Sequence, residues 1–129
     1  MSQEFVFIDD ASQFRAPDAL VVRVPRGIRS KEKLFGIYAD GLHFPNYFGW
    51  NWDALEECLR DLSWLPPAQP IAIVHDQSPF GPGGENRAIY FDLLRTVFNH
   101  WAATDGRSFQ IILPQSAQDD LIPRANGPR

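Results

Sequence analysis

Two carboxylates, Asp53 and Glu57, stand four residues apart where apolar positions repeat at helical spacing, so they lie one above the other on one helix face. Such a pair supports two kinds of chemistry. In a cleft, one carboxyl with a raised pKa and one ionised carboxylate form the acid and base of a glycosidase-type hydrolase. On an open helix face both stay ionised, and their chemistry is recognition: they take the place of phosphate in front of Arg, Lys or His. Asp53 and Glu57 fall opposite the apolar stripe of their helix, which favours recognition. Cys58 lies on that stripe beside Leu55, Leu59 and Leu62, and its neighbours are acidic, so a buried, inert thiol is expected.

Other reactive residue types are scattered. His43, His75 and His100 form no HxxxH or Cys/His cluster, so no metal ligand set is expected. The loop from Gly81 through Pro82 and Gly83 to Gly84 precedes a helix, as phosphate-binding loops do. It lacks the Lys-Ser/Thr of a P-loop, Asn86 stands where GxGxxG needs its third glycine, and Glu85 would oppose a phosphate. A tight turn is the simpler reading. No residue set requires a cofactor.

The elements that must hold these residues follow from periodicity. β-branched, apolar runs at residues 20–24, 71–75 and 109–113 predict three buried strands, and the short aromatic run 4–8 an added one. Ser30 is an N-cap for a helix whose stop is Gly41. Asn51 caps a helix over 52–62, with Trp52, Leu55, Cys58, Leu59 and Leu62 inward and Asp53, Glu56, Glu57 and Arg60 outward. Trp52 is expected in the core. A longer helix covers residues 85–104. Strands alternating with helices predict an α/β fold, a parallel sheet joined by crossovers and covered by helices. Residues 1–18 read as an N-terminal extension, 19–114 as the domain, and 115–129 as a loose polar tail.

Composition narrows the setting. At 129 residues and 44% hydrophobic content the chain can bury one core without disulfides. Its apolar runs are too short to span a bilayer, its N-terminus does not read as a secretory signal, and it has one cysteine, so the expected compartment is the cytoplasm. The net charge is −4, and residues 40–61 alone hold five acids (Asp40, Asp53, Glu56, Glu57, Asp61) against Arg60. That segment would repel a nucleic-acid backbone and attract a basic protein.

Residues 42–62, LHFPNYFGWNWDALEECLRDL, resemble the barstar family of bacterial ribonuclease inhibitors. The family pattern is Pro-x-Tyr-(Tyr/Phe)-Gly-x-Asn-x-Asp-Ala-Leu followed by an acidic helix containing a cysteine. Here it is carried by Pro45, Tyr47, Phe48, Gly49, Asn51, Asp53, Ala54, Leu55 and Cys58. The likeness extends upstream to Ile28, Arg29 and Ser30, and more loosely to the closing strand.

The resemblance implies a three-stranded parallel sheet packed by about four helices, and a protein that is not an enzyme. It would bind one to one to a basic, secreted ribonuclease or nuclease toxin and plug its active site while the enzyme is inside the cell. Tyr47 would pack against the catalytic region, Asp53 would contact the enzyme, and Glu57 would sit where the family places its phosphate-mimicking aspartate. Gly49 and Asn51 match the contacting loop; Glu56 and Trp50 complete the candidate interface, although a core position for Trp50 is equally open. Glu57 is one methylene longer than the family's aspartate, Glu56 replaces an aromatic residue, and His100 and Trp101 stand near the family's acidic contact in the last long helix. The alternatives are an immunity protein against a different toxin and a hydrolase using Asp53 and Glu57.

Overall fold

The computed structural model describes residues 4–81, 84–104 and 106–118. Four strands, β1 (Val6–Ile8), β2 (Leu20–Val24), β3 (Ile71–His75) and β4 (Phe109–Pro114), form one sheet in the order β1-β4-β3-β2. All three pairings are parallel, running Leu20↔Ile71 to Val24↔His75, Ile71↔Phe109 to Val74↔Ile112, and Val6↔Ile112 to Ile8↔Pro114. The sheet thus has four strands rather than the three of the family expectation, because residues from the N-terminal segment add an edge. Central β3 is buried along its whole length, which is why it reads as a continuous apolar run.

Three α-helices occur among the described residues, rather than about four: α1 (Lys31–Leu42), α2 (Trp52–Asp61) and α3 (Glu85–Thr104). Parallel strands need crossovers, and α1 with α2 spans β2 to β3 while α3 spans β3 to β4. Ser30 caps α1 by accepting from the Lys33 N–H at 3.2 Å. The stop of α1 differs from the expected Gly41. The helix runs on to Leu42, and His43, at φ 57°, makes the left-handed cap with its N–H on the Ala39 carbonyl. Gly41 serves another purpose: a Cβ there would come 3.1 Å from a Val22 methyl, so its small size lets α1 lie close on β2. α2 ends at Asp61, one residue before the expected end, and Leu62, at φ 50°, is its cap.

Alternation along the strands sorts side chains onto two faces. Val22, Val24, Ile71, Ile73, Ile111 and Leu113 meet the helices in the main core. Ala72, Val74 and Ile112 point the other way, where Ala11 is buried against them with Val6, Ile8 and Phe14 alongside. The cover comes from the link between the two edge strands, which includes a short 3-10 turn at Ala11–Gln13. Arg23 on β2 ties that link down by donating to the carbonyls of Ala11 at 3.3 Å and Phe14 at 2.7 Å.

At the other end of the chain, Gln115–Ala117 form a 3-10 turn with Ala117 buried; residues 119–129 of the expected tail lie outside the described residues, as do Pro82 and Gly83 of the glycine-rich loop. No helix among the described residues is long and apolar enough to cross a membrane.

His75 ends β3 fully buried. Its Nδ1 is 2.9 Å from the Ile112 carbonyl, which can only accept, so Nδ1 carries the proton. Nε2 then accepts from the Tyr90 hydroxyl at 2.7 Å, and Tyr90 in turn accepts from the Tyr38 hydroxyl at 2.6 Å. This chain joins β3, β4, α3 and α1 with every proton directed.

Candidate functional site

The segment between α1 and α2 is held by aromatic packing. Phe44 stacks edge-on with Phe48 at 4.8 Å and with Trp64 at 5.9 Å, and Phe48 reaches Phe35 of α1 at 6.1 Å. The Trp64 indole donates to the Leu42 carbonyl at 2.8 Å, and a turn closes with the Phe48 N–H on the Pro45 carbonyl at 3.0 Å. Phe48 is buried, while its neighbours Tyr47 and Trp50 remain 71% and 53% exposed.

Trp50 occupies the left-handed region at φ 55°, unusual for a bulky side chain. Its ring lies 5.2 Å from that of Phe48, and a Cβ on Gly36 of α1 would stand 3.9 Å from its Cζ3, an ordinary contact beside the helix. Asn51 accepts the Ala54 N–H at 2.7 Å as N-cap of α2, so it orients the acidic helix whether or not it also meets a partner. Gly49 is exposed just before it.

On α2, Leu55, Cys58 and Leu59 face the core. Trp52 is half-buried rather than fully enclosed: it packs against Phe35 at 5.0 Å, and its buried indole N–H has no acceptor among the described residues. The polar side splits into two rows. Glu56 pairs with Arg60 at 3.5 Å. Asp53 and Glu57 are exposed, with no ion pair among the described residues, and Asp61 continues their row one turn on. Like charges four apart repel by about 0.2–0.5 kcal/mol per pair, and Asp61 also sits at the helix end where the dipole disfavours an anion. Asp53, in the first turn, is favoured by the dipole, whereas Glu57 and Asp61 bring the isolated fold no evident gain.

Asp61 escaped the sequence reading, which counted it among the acids without giving it a place. The signal was there: it lies four residues past Glu57 and eight past Asp53. Tyr47, Phe48, Ala54, Glu57, Cys58 and Asp61 together line a cavity of about 300 Å³. Within it, desolvation and then the charges of Asp61 and Glu57 raise the Cys58 thiol pKa, so the thiol stays protonated and is a poor nucleophile. Desolvation and then Asp61 likewise raise the pKa of Tyr47, keeping the phenol neutral.

The expected interface residues Tyr47, Gly49, Trp50, Asn51, Asp53, Glu56 and Glu57 thus fall on one loop and the helix it introduces. In α3, Trp101 donates its indole N–H to the Leu59 carbonyl at 2.8 Å, a structural contact that locks α3 to α2. Among the described residues no group of three or more His, Cys, Asp or Glu side chains could hold a metal ion.

The structure is thus a parallel α/β domain that presents a capped acidic helix behind an aromatic loop. The family model described as Barstar (barnase inhibitor) matches residues 19–114. The chain belongs to the barstar family, whose members inhibit ribonucleases of the barnase type. No curated protein and no solved structure matches it significantly.

Proposed function

We propose that this protein is the inhibitor of a basic ribonuclease, which it binds one to one in the cytoplasm by seating α2 and the preceding loop in the enzyme's active site. One observation carries the reading: Asp53 and Glu57 stand exposed and, among the described residues, without an ion-pair partner on a helix capped by Asn51, beside the exposed rings of Tyr47 and Trp50. Carboxylates on a rigid helix are positioned before docking, so little ordering entropy is lost when they meet the phosphate-binding cations. Tyr47 packs as a neutral anchor. A hydrolase pair would need one desolvated carboxyl, and both side chains are open to water.

The test is the dissociation constant and both rate constants for wild type, Asp53→Ala, Glu57→Ala and Tyr47→Ala against the cognate nuclease at two salt concentrations. Removing either carboxylate leaves enzyme cations buried and unpaired, a loss of about 2–5 kcal/mol expressed mainly as faster dissociation. Salt should chiefly slow association. If both carboxylate variants stay folded and bind within about threefold of wild type, the assignment fails.

A further inference from the structure

We propose that the cavity outside the carboxyl ends of β2, β3 and β4 binds a small phosphomonoester, with Arg29, Gln77 and Ser78 as donors in front of the buried charge of Arg87. Its lining shares no residue with the loop and acidic helix of the inhibitor reading, so each assignment stands or falls alone.

Those three strands run parallel, so the segments that leave them emerge at one end of the sheet, where open α/β sheets hold their ligands. Short stretches after each strand, around Ile28, Ser78 and Ser116, join Arg87 of α3 in lining a cavity of about 350 Å³. Its walls are pinned in advance. The Gly27 N–H donates to Oε1 of Gln77 at 3.0 Å, and the Phe80 N–H to the Ile28 carbonyl at 2.7 Å. Phe80 keeps a left-handed backbone at φ 65°, a strain that costs stability and that clusters at ligand-binding sites.

The lining is rich in donors and holds no carboxylate among the described residues, in a chain whose net charge is −4. Arg29 is exposed, with no ion pair or side-chain hydrogen bond among the described residues. With Oε1 of Gln77 taken by Gly27, its Nε2 presents two hydrogens and has no acceptor among the described residues. The Ser78 hydroxyl accepts from Nη2 of Arg87 at 2.8 Å, so its own hydrogen is left to donate. Arg87 itself is only 8% exposed. Nearby acids stay out of the lining: Asp76 pairs with Arg23 at 3.8 Å, and Glu85 is exposed at the start of α3.

A guanidinium fork, an amide and a hydroxyl suit a phosphoryl group, with about −1.5 to −2 charge and three acceptor oxygens, better than a carboxylate. At about 30 Å³ per water, the cavity has room for roughly ten waters, more than a bare phosphate fills. Ile28, Phe80 and Ala117 give the remaining space an apolar wall for a compact organic body. A nucleic-acid strand is disfavoured, because the net charge repels a polyanion.

The experiment titrates the ¹⁵N-labelled full-length chain, at constant ionic strength, with ribose 5-phosphate, inorganic phosphate, ribose and acetate. Saturable shifts should centre on the amides of Gly27, Arg29, Gln77 and Ser78. Ribose 5-phosphate should bind at least about threefold more tightly than inorganic phosphate and at least about tenfold more tightly than ribose or acetate. A hexauridylate without a terminal phosphate should not displace it. Gln77→Glu keeps an acceptor for Gly27 but replaces the donor with a carboxylate oxygen; it and Arg29→Gln should each weaken binding at least about fivefold. Arg26→Gln removes the same charge outside the cavity and should leave binding within about twofold. The proposal is overturned by no saturation up to about 50 mM ribose 5-phosphate, by equal affinity for any of the other three probes, by displacement with the hexauridylate, or by indifference to Arg29→Gln.

Discussion

The Tyr90 hydroxyl lies 2.7 Å from Nε2 of His75 and donates to it, because the other imidazole nitrogen already gives its proton to the Ile112 carbonyl at 2.9 Å. Protonating His75 would bury a charge and oblige the Tyr90 hydroxyl to reverse its hydrogen bond in a fully buried site. Desolvation, offset in part by the hydrogen bond to Ile112, takes its pKa down from 6.5 to about 4. The unfolded chain therefore binds a proton that the native state refuses once pH drops below about 6.5, and stability falls until about pH 4. By pH 5 the loss is about 2 kcal/mol. Urea unfolding at pH 7.5 and 5 checks this, with His75→Gln, which keeps polar atoms but cannot titrate, expected to flatten the change between those values.

Leu55 and Glu56 are neighbours in sequence with opposite surroundings. Leu55 is fully buried, so Leu55→Ala should destabilise the domain by about 2–5 kcal/mol through a cavity between α2 and the core. Glu56 makes an exposed pair with Arg60 at 3.5 Å, and Glu56→Ala should cost no more than about 0.5 kcal/mol. Comparable urea midpoints for the two variants would contradict the orientation of α2.

Trp50 combines a left-handed backbone at φ 55° with an indole 53% exposed, which strains the isolated protein. Trp50→Gly relieves the backbone, and folding stability should stay level or rise by up to about 1 kcal/mol. If the indole is an anchor for the nuclease, affinity should fall at least about tenfold in the same variant. Thermal unfolding and a binding titration together read both effects, and unchanged affinity would take Trp50 out of the interface.

Deleting residues 1–18 removes β1 from β4 and uncovers Ala72, Val74 and Ile112 on the sheet's second face. The shortened protein should bind a hydrophobic dye, lose stability and associate, as an unpaired strand edge beside bare apolar surface invites. Wild-type stability and no dye binding would show that this cover is dispensable.

Much of this was legible in the residues because it is local. The caps at Ser30 and Asn51, the stripe of Leu55, Cys58 and Leu59, and the runs of β2, β3 and β4 follow from neighbours within a turn or a pleat. The motif from Pro45 to Cys58 and the acidic bias around it pointed to the family by themselves. Helix ends were less legible, since exposed His43 and buried Leu62 take left-handed caps that glycine usually fills. Three features needed the fold. β1 is three residues long and pairs with a strand about a hundred residues away, so no local pattern could name its partner. His75 follows an apolar run, but its burial depends on a hydroxyl from α3 and a carbonyl from β4 arriving at its two nitrogens. Asp61 joins Tyr47 around one cavity because aromatic packing folds the loop back beside the last turn of α2. Short-range propensity acts along the chain, whereas parallel pairing, buried polar contacts and concave surfaces exist only after distant segments have paid the entropy of closing upon one another.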